Sequence, residues 1–247
     1  MAATPESIGT AISVDTNVSA GKAGAESPLR QGSKVFSDDR ILTDLSGVGQ
    51  IEFVDKTRLA IGPGSTLTLD RFVYDPKRSK TDIVLGLGKG TFRFMTGVGA
   101  HQGYEISTPA ATIGVRGTAF DVVIGEDGEM AVAMINGTVE VCSRQSRACQ
   151  LHDAIGRFLH MTSGGVFSLR DKWDVALMKG VGFASAMPFM VTEALLRPNF
   201  RAGANILNRY ASIAGQAGQA AGQAIQAPAR ALQSVPGALQ NLNPFRR

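Results

Sequence analysis

An arginine flanked by glycines is the residue of this sequence whose chemistry most needs an explanation. Arg116 lies between Gly114 and Gly117 in TPAATIGVRGTAFDVVIG (108–125), where apolar residues on both sides predict a buried strand. An unpaired guanidinium in a protein interior costs several kcal/mol, and glycine neighbours let the side chain fold back against the backbone. We therefore expect Arg116 to be a structural clamp between two β layers; contact with a ligand or partner is the alternative. The candidate carboxylate partners of this clamp are Asp70, Glu105 and Asp121.

The two cysteines of the chain, Cys142 and Cys149, lie seven residues apart in CSRQSRAC. A C-x-x-C metal or redox motif has two intervening residues, so this spacing does not match one. We expect a disulfide that closes a hairpin tip, which stabilises by roughly 2–3 kcal/mol and implies an oxidising compartment. Two free thiols at facing strand positions are the alternative.

The remaining polar residues show none of the patterns that catalysis or metal binding requires. The histidines His101, His152 and His160 share no metal-ligand spacing with a nearby carboxylate, and surface or rim positions are expected for all three. GVRG (114–117) fits a nucleic-acid-binding KH loop, but its flanks are predicted strands rather than helices. GPGS (62–65) lacks the residues that complete a phosphate loop, and neither G-x-S-x-G nor H-E-x-x-H occurs. The sequence therefore predicts a non-enzyme with no catalytic residue, no cofactor and no metal.

Short runs with a two-residue alternation predict strands over most of the chain up to about residue 169. Asp55-Lys56 is expected at one reversal, Asp127-Gly128 at another, and Asn136-Gly137 at a type I′ hairpin turn. No helical pattern alternates with the strands, which argues against a parallel α/β sheet. We predict an all-β fold, an antiparallel jelly roll or β-helix-like sandwich. The predicted strands are 50–54, 58–62, 66–74, 81–87, 91–95, 119–124, 130–135 and 138–142.

The composition changes towards the C-terminus. Asp171 could cap a helix that starts in DKWDVALM, and an Ala-rich stripe over 203–226 predicts a partly helical segment weakened by glycines. The low-complexity run AGQAGQAAGQAIQ indicates that the tail is otherwise disordered. The positive charge of the tail permits weak contact with an anionic surface. A soluble linker or tether is the alternative. Nucleic-acid binding is not expected, because no aromatic residues interleave with the arginines. No acidic residue follows Glu193, whereas six arginines do: Arg197, Arg201, Arg209, Arg230, Arg246 and Arg247.

The start of the numbered chain bears on the compartment. MAATPESIGTA has neither the basic nor the apolar region of a signal peptide. Either a leader has been removed and the protein is periplasmic or exported, or Met1 is the native start and the protein is cytoplasmic. No apolar run reaches the length of a membrane span, so no transmembrane segment is predicted.

Three segments together resemble the FecR domain family: RILTDLSGVGQIEFVDKTRLAIGPGSTLTLDRFVYDP (40–76), GTFRFMTG (90–97) and YEISTPAATIGVRGTAFDV (104–122). The resemblance covers about residues 8–145 and implies an exported bacterial all-β domain, best known from transmembrane regulators of extracytoplasmic-function sigma factors. Those regulators also carry a cytoplasmic helical domain and a membrane span, neither of which this sequence shows, so the resemblance is to stand-alone FecR-domain proteins and does not imply anti-sigma activity. The residues that match the family motif T-P-x-A-x-x-G-V-R-G-T-x-F-x-V include Thr108, Pro109, Gly114, Arg116, Gly117, Thr118 and Phe120.

The sequence departs from the family pattern at three positions where a glycine is expected. These positions are Asp38, Asp44 and Lys56. Lys56 follows the turn residue Asp55 and tolerates a positive φ poorly. The departures concern local turn types rather than the fold.

Composition and resemblance together predict three regions and one class of function. The regions are a FecR-like β domain (1–170, with its motif-bearing core at about 8–145), a short helical or loop extension (171–200) and an Ala/Gln/Gly-rich basic tail (201–247). The leading hypothesis is a non-enzymatic exported module that binds or senses a partner in bacterial envelope signal transduction. Its partner would be an envelope or membrane protein. The alternatives are a structural or glycan-binding envelope protein and a cytoplasmic interaction protein.

Overall fold

A computed structural model describes residues 6–75, 80–97, 104–174, 176–211 and 213. This part of the chain consists mainly of strands, so the predicted all-β fold is confirmed. Three short helices follow the strands: α1 (Phe183–Ala186), α2 (Pro188–Val191) and α3 (Ala204–Ala211). The strands are β1 (Ser7–Asp15), β2 (Val18–Gly21), β3 (Ser27–Pro28), β4 (Lys34–Phe36), β5 (Arg40–Thr43), β6 (Val48–Phe53), β7 (Arg58–Ile61), β8 (Thr66–Asp75), β9 (Lys80–Met95), β10 (Tyr104–Ser107), β11 (Ala111–Ile124), β12 (Met130–Ser143), β13 (Cys149–His152), β14 (Phe158–Met161) and β15 (Phe167–Arg170).

Three long strands, β9, β11 and β12, fold one continuous sheet into two layers. The first half of β9 pairs with β8 and β10, whereas its second half pairs with β7 and β11. The first layer therefore has the order β3-β2-β5-β8-β9-β10-β11-β12-β13, and the second layer the order β4-β1-β6-β7-β9-β11-β12-β14-β15. Within the described residues, all strand pairings are antiparallel except β9–β10. That pairing is parallel because the chain leaves β9 in the second layer and re-enters the first layer in the same direction.

The inner faces of the two layers enclose one hydrophobic core. Alternate residues of each strand point inward, as the two-residue period of a strand requires. The first layer contributes Ile41, Leu67 and Ile113, among others, and the second contributes Phe94 and Phe120. The Phe94 and Phe120 rings lie 5.7 Å apart, centroid to centroid.

Two of the predicted turns are present and one is not. Asp55-Lys56 joins β6 to β7, and Asp127-Gly128 joins β11 to β12. Asn136-Gly137 is not a hairpin turn, because β12 continues through it and is paired on both sides of it with β11. Gly137 has a φ of 79°, but it marks the bend at which β12 passes from the second layer to the first.

Two of the departures from the family pattern lie where the backbone is left-handed. Lys56 has a φ of 70° and Asp38 a φ of 62°. Glycine adopts this conformation without steric cost, whereas other residues do so rarely. The glycines expected there thus correspond to a real backbone requirement, which this chain meets with a lysine and an aspartate.

The C-terminal segment packs against the outer face of the second layer. The helix expected after Asp171 is not formed; the chain instead makes a left-handed turn in which Met178 has a φ of 50° and Lys179 a φ of 56°. Large side chains then fill the spaces above small ones of the sheet, such as Ala131 and Ala133. We call residues 177–213 the C-terminal strap. Its buried side chains include Phe183, Met187, Phe189, Met190, Phe200, Tyr210 and Ile213.

Only the beginning of the predicted helical stripe lies in the described chain, where α3 ends at Ala211. The low-complexity run and the arginines Arg230, Arg246 and Arg247 lie outside the described residues, as does His101. The predicted domain boundaries near residues 170 and 200 stay predictions. The C-terminal strap (177–213) crosses the predicted boundary near residue 200.

Candidate binding surface

The motif residues occupy four different environments. Thr108 is buried in the turn between β10 and β11, where its Oγ1 accepts from the Ala111 N–H at 2.9 Å, and Pro109 is exposed beside it. Gly114 lies on the outer face of the first layer. Phe120, near the C-terminal end of the motif, is fully buried in the core.

The expected burial of Arg116 is wrong. Its side chain is exposed, so it does not clamp the two layers together. Arg116 lies at the bend of β11, where the pairing with β12 shifts register between Arg116 and Ala119. The glycines serve this bend rather than the guanidinium: Gly117 has a φ of 62°, and a Cβ on Gly137 would lie 2.7 Å from the Gly117 carbonyl oxygen.

The buried guanidinium of this domain belongs to Arg93. Its Nε donates to Asp121 Oδ1 at 2.6 Å and its Nη2 to Asp121 Oδ2 at 3.0 Å. Its Nη1 donates to Glu193 of the strap, and its Nη2 also donates to the Phe189 carbonyl at 2.8 Å. Bidentate pairing and further acceptors are what a buried cation requires.

One of the two carboxylates that pair with Arg93 is that of Asp121, which was expected to pair with Arg116. Sequence reasoning missed Arg93 although it lies between Phe92 and Phe94 in TFRFM. Strand alternation places a charge there on the opposite side from the phenylalanines. A side chain on the outer face of a sheet is normally exposed to solvent. The local sequence pattern does not show that the C-terminal strap covers this face.

The outer face of the first layer around Arg116 is open to solvent. Across neighbouring strands, Gly114 is paired with Glu105 on one side and Glu140 on the other, and Glu140 is paired with Leu151. Nothing lies within 3.8 Å of a Cβ built on Gly114, so the position forms a notch between two exposed carboxylates. We call the surface formed by Glu105, Gly114, Arg116, Thr138, Glu140 and Leu151 the open face. Apart from Glu105, these residues line a shallow depression of about 680 Å³.

The family comparison identifies the fold that carries this surface. Residues 39–140 match the family model described as FecR protein. These residues are a FecR domain. A regulatory role in signal transduction is the class of function that the match supports.

Three solved structures are similar to part of this chain. Two crystal structures of a candidate anti-sigma factor from Parabacteroides distasonis ATCC 8503 have 20% and 19% identity, with TM-scores of 0.43 and 0.42. Each covers 53% of this chain, which in turn spans 58% of the length of that protein. A cell surface anchoring domain has 34% identity over 25% of this chain and 82% of its own, with a TM-score of 0.24. No curated protein matches the sequence.

The FecR match ends immediately before the disulfide. Cys142 of β12 and Cys149 of β13 are bonded, as expected, with their Cα atoms 4.0 Å apart. The bond fixes β13 to the edge of the FecR domain beside the open face. Glu140 approaches these two sulfurs, but bonded cysteines have no thiolate to offer, so the group does not fit a metal.

The buried titratable groups of the FecR domain and its flanks are mostly paired, whereas the buried Nε2 of His152 has no hydrogen-bond partner in the described chain. Tyr104 donates to Asp55, which also accepts from Thr57 Oγ1 at 2.8 Å; burial raises the pKa of Asp55. His152 and His160 are buried rather than at the surface or rim. Burial lowers the pKa of His152, whereas His160 Nε2 lies 2.7 Å from Glu129 Oε1.

Within residues 6–213, apart from the gaps given above, no helix is long and apolar enough to cross a membrane.

Proposed function

We propose that this protein is a non-enzymatic module of bacterial envelope signalling whose FecR domain binds an envelope or membrane protein through the open face. The observation that carries the proposal is the placement of Arg116. It is the charged residue of the family motif, yet it makes no contribution to the core. An exposed guanidinium at a bend is suited to planar recognition of a partner's carboxylate or carbonyl groups.

The two layers differ in a way that supports this choice of surface. The outer face of the second layer is covered by the strap, whose buried side chains fill it. The open face has no such cover from the described chain, and it presents Arg116, Glu140 and a 63% exposed Leu151. Arginine is enriched at the centre of protein-binding sites, and the exposed Leu151 adds apolar area beside it.

The disulfide supports export. Structural disulfides persist in the periplasm and outside the cell but are rare in the cytoplasm. Thiol titration of protein purified from its native host tests this: two unmodified thiols would instead favour a cytoplasmic interaction protein.

The glycan-binding alternative has less support. Sugar recognition uses exposed aromatic rings, but Tyr104 of β10 is buried, and the open face as defined above presents no exposed ring. Contact of the basic tail with an anionic surface depends on residues outside the described chain and stays a prediction.

Capture from a bacterial envelope extract tests the proposed function. We expect the full chain to retain one integral-membrane or periplasmic protein, and Arg116→Glu to lose it. Arg30→Glu is the matched control, because Arg30 is also exposed but lies next to β3, at the far edge of the first layer from β13. The captured protein is then purified, and its affinity for the three proteins is measured. Equal affinities, or no capture of an envelope protein, would overturn the proposal.

A further inference from the structure

We propose that the partner docks by adding an extended segment to the free edge of β13, and that this segment alternates apolar and basic side chains. The inference rests on the proposed function and deepens it, because β13 borders the open face. Strand addition supplies affinity through main-chain hydrogen bonds and specificity through alternate side chains.

The backbone of β13 has hydrogen-bonding groups that point away from the sheet. Paired residues in an antiparallel ladder alternate between bonded pairs, about 5.5 Å apart at Cα, and closer non-bonded pairs of about 4.5 Å. Cys142 and Cys149 are 4.0 Å apart at Cα, which identifies a non-bonded pair. The adjacent pair is bonded, since the Ser143 N–H donates to the Ala148 carbonyl at 2.9 Å.

The alternation then assigns the rest of the strand. Leu151 is opposite Glu140, two residues along the ladder from Cys149, so this pair is also non-bonded. The N–H and C=O groups of Cys149 and Leu151 therefore point to the free edge. One observation agrees with this directly: the Leu151 carbonyl accepts from Gln150 Nε2 at 3.0 Å, a surface contact that a partner strand could displace.

Four strands of the described sheet have a neighbouring strand on one side only. Of these four edge strands, β13 is the one without protection against strand addition. Natural edges are blocked by proline, by charged residues or by bulges. Accordingly, β3 contains Pro28, β4 contains Lys34 and β15 ends at Arg170. In contrast, β13 reads CQLH, has a regular register with β12 and is held extended by the disulfide.

The side chains beside this edge define the chemistry of the added segment. Leu151 is 63% exposed and lies on the same face of the sheet as Glu140 and Asp153, so a long side chain of the added segment covers it with its methylene groups. Glu140 faces Leu151 from β12, and Asp153 follows β13; both are exposed and form no ion pair with another residue of the described chain. Two such carboxylates favour basic residues on that face of the partner segment. The residues between them point to the inner face, as the buried His152 of β13 does, and are therefore expected to be apolar.

A synthetic seven-residue peptide of alternating lysine and valine is the probe, and the same peptide with glutamate for lysine is its control. We expect the lysine peptide, added to the ¹⁵N-labelled full chain, to shift the amide resonances of Cys149 and Leu151 and to slow their exchange with solvent. Those two amides should exchange faster than that of Gln150 in the free protein. Equal binding of both peptides, or shifts confined to other strands, would overturn the inference.

Variants of Leu151 separate edge pairing from general damage. Leu151→Pro removes an outward N–H without touching a bond to β12, and proline is tolerated at such edge positions; we expect at least about tenfold weaker binding of the lysine peptide, which corresponds to about 1.4 kcal/mol. Leu151→Lys, a milder change, should weaken it in the same direction. Leu169→Lys on β15 is the matched control, since Leu169 is a 41% exposed leucine on another edge strand, and it should bind as the unmodified protein does.

The outcomes for the two proposals are distinct. If Arg116→Glu abolishes capture of the envelope protein and Leu151→Pro leaves it unchanged, the proposed function stands and strand addition is wrong. Self-association of the chain that Leu151→Pro abolishes would make the occupant a second copy and would also overturn the inference of a basic partner segment.

Discussion

At the scale of the residue, two arginines of one domain have opposite environments because of the residues paired with them. Arg93 is directly opposite Asp121 in the neighbouring strand and beneath Glu193 of the strap. Arg116 is opposite Thr138 at a bend and is exposed. A guanidinium is buried in this protein where two carboxylates and backbone carbonyls converge on it, and glycine neighbours alone do not provide that.

Replacing Arg93 with methionine should therefore be severe. Arg93→Met leaves Asp121 and Glu193 without their cation, and breaking a buried ion pair from one side lowers the free energy of unfolding by about 3–5 kcal/mol. Arg116→Met, the matched control, should change it by less than about 0.5 kcal/mol, as surface substitutions do. Urea unfolding followed by circular dichroism measures both. Similar losses of unfolding free energy in the two variants would show that the ion pairs of Arg93 do not stabilise the fold.

His152 should make the fold sensitive to acid. Its pKa is lowered by burial, so the folded protein keeps the ring neutral while the unfolded chain takes up a proton below about pH 6.5. Stability attributable to this residue is thus lost as the pH falls below that value, by at most about 1.4 kcal/mol per pH unit. The free energy of unfolding measured at several pH values should fall less in His152→Gln than in the unmodified chain. Parallel pH profiles would contradict this assignment.

At the scale of the element, the two layers depend on bends inside long strands rather than on hairpins. β11 bends at Gly117 and β12 at Gly137, and the two glycines approach each other closely. Regular pairing resumes on both sides of the bends, so the strands carry the core of one layer into the other. The residues of the family motif thus form a bend of β11 as well as part of an exposed surface.

Alanine substitution distinguishes the glycine of the bend from the glycine of the open face. Gly137→Ala puts a side chain at a φ of 79° and a Cβ 2.7 Å from the Gly117 carbonyl oxygen, which should cost about 1–3 kcal/mol. Gly114→Ala has open space, with its nearest neighbour at 3.8 Å, and should cost less than about 0.5 kcal/mol. Chemical denaturation of both variants measures the difference. Equal destabilisation would mean that the bend does not require glycine.

At the scale of the whole molecule, the β domain and the strap form one packed unit. The strap supplies a carboxylate to Arg93, accepts a hydrogen bond from Gln50 through the Leu195 carbonyl at 2.8 Å, and donates from the Tyr210 hydroxyl to the Met134 carbonyl at 2.8 Å. It therefore satisfies polar groups as well as covering apolar ones. The central strands of the second layer are buried on both faces for this reason.

A chain that ends at residue 170 should lose this cover. We expect it to bind a hydrophobic dye such as ANS and to unfold without the cooperativity of the full chain, because a large apolar face is exposed. Point variants exclude a trivial effect of truncation. Phe200→Ala, at a fully buried position of the strap, should cost about 3–5 kcal/mol, whereas Leu195→Ala, 53% exposed, should cost less than about 0.5 kcal/mol. A cooperative, dye-free truncated chain would instead support a domain that ends near residue 170.

Local pattern by itself determined strand segments within β6, β7, β8, β9, β11 and β12, two of the turns, the disulfide and the family motif. It did not show that 81–87 and 91–95 form the single strand β9, nor that 130–135 and 138–142 form β12. Each of these depends on residues that are near one another in the sequence: alternation within a strand, Asp127-Gly128 at a reversal, and two cysteines seven residues apart. The positions of Asp38 and Lys56 were also recognisable as backbone exceptions, because the family pattern has glycine there.

The tertiary structure decided which arginine is buried, which face is covered and where β12 bends. The partners of Arg93 lie 28 and 100 residues away in the sequence, and the register between strands, not their composition, brings them together. Asn136-Gly137 has the residues of a hairpin turn, but its neighbours continue to pair, so the same glycine conformation bends a strand instead. Burial and pairing are properties of the assembled sheet and strap, and a single segment of sequence does not contain them.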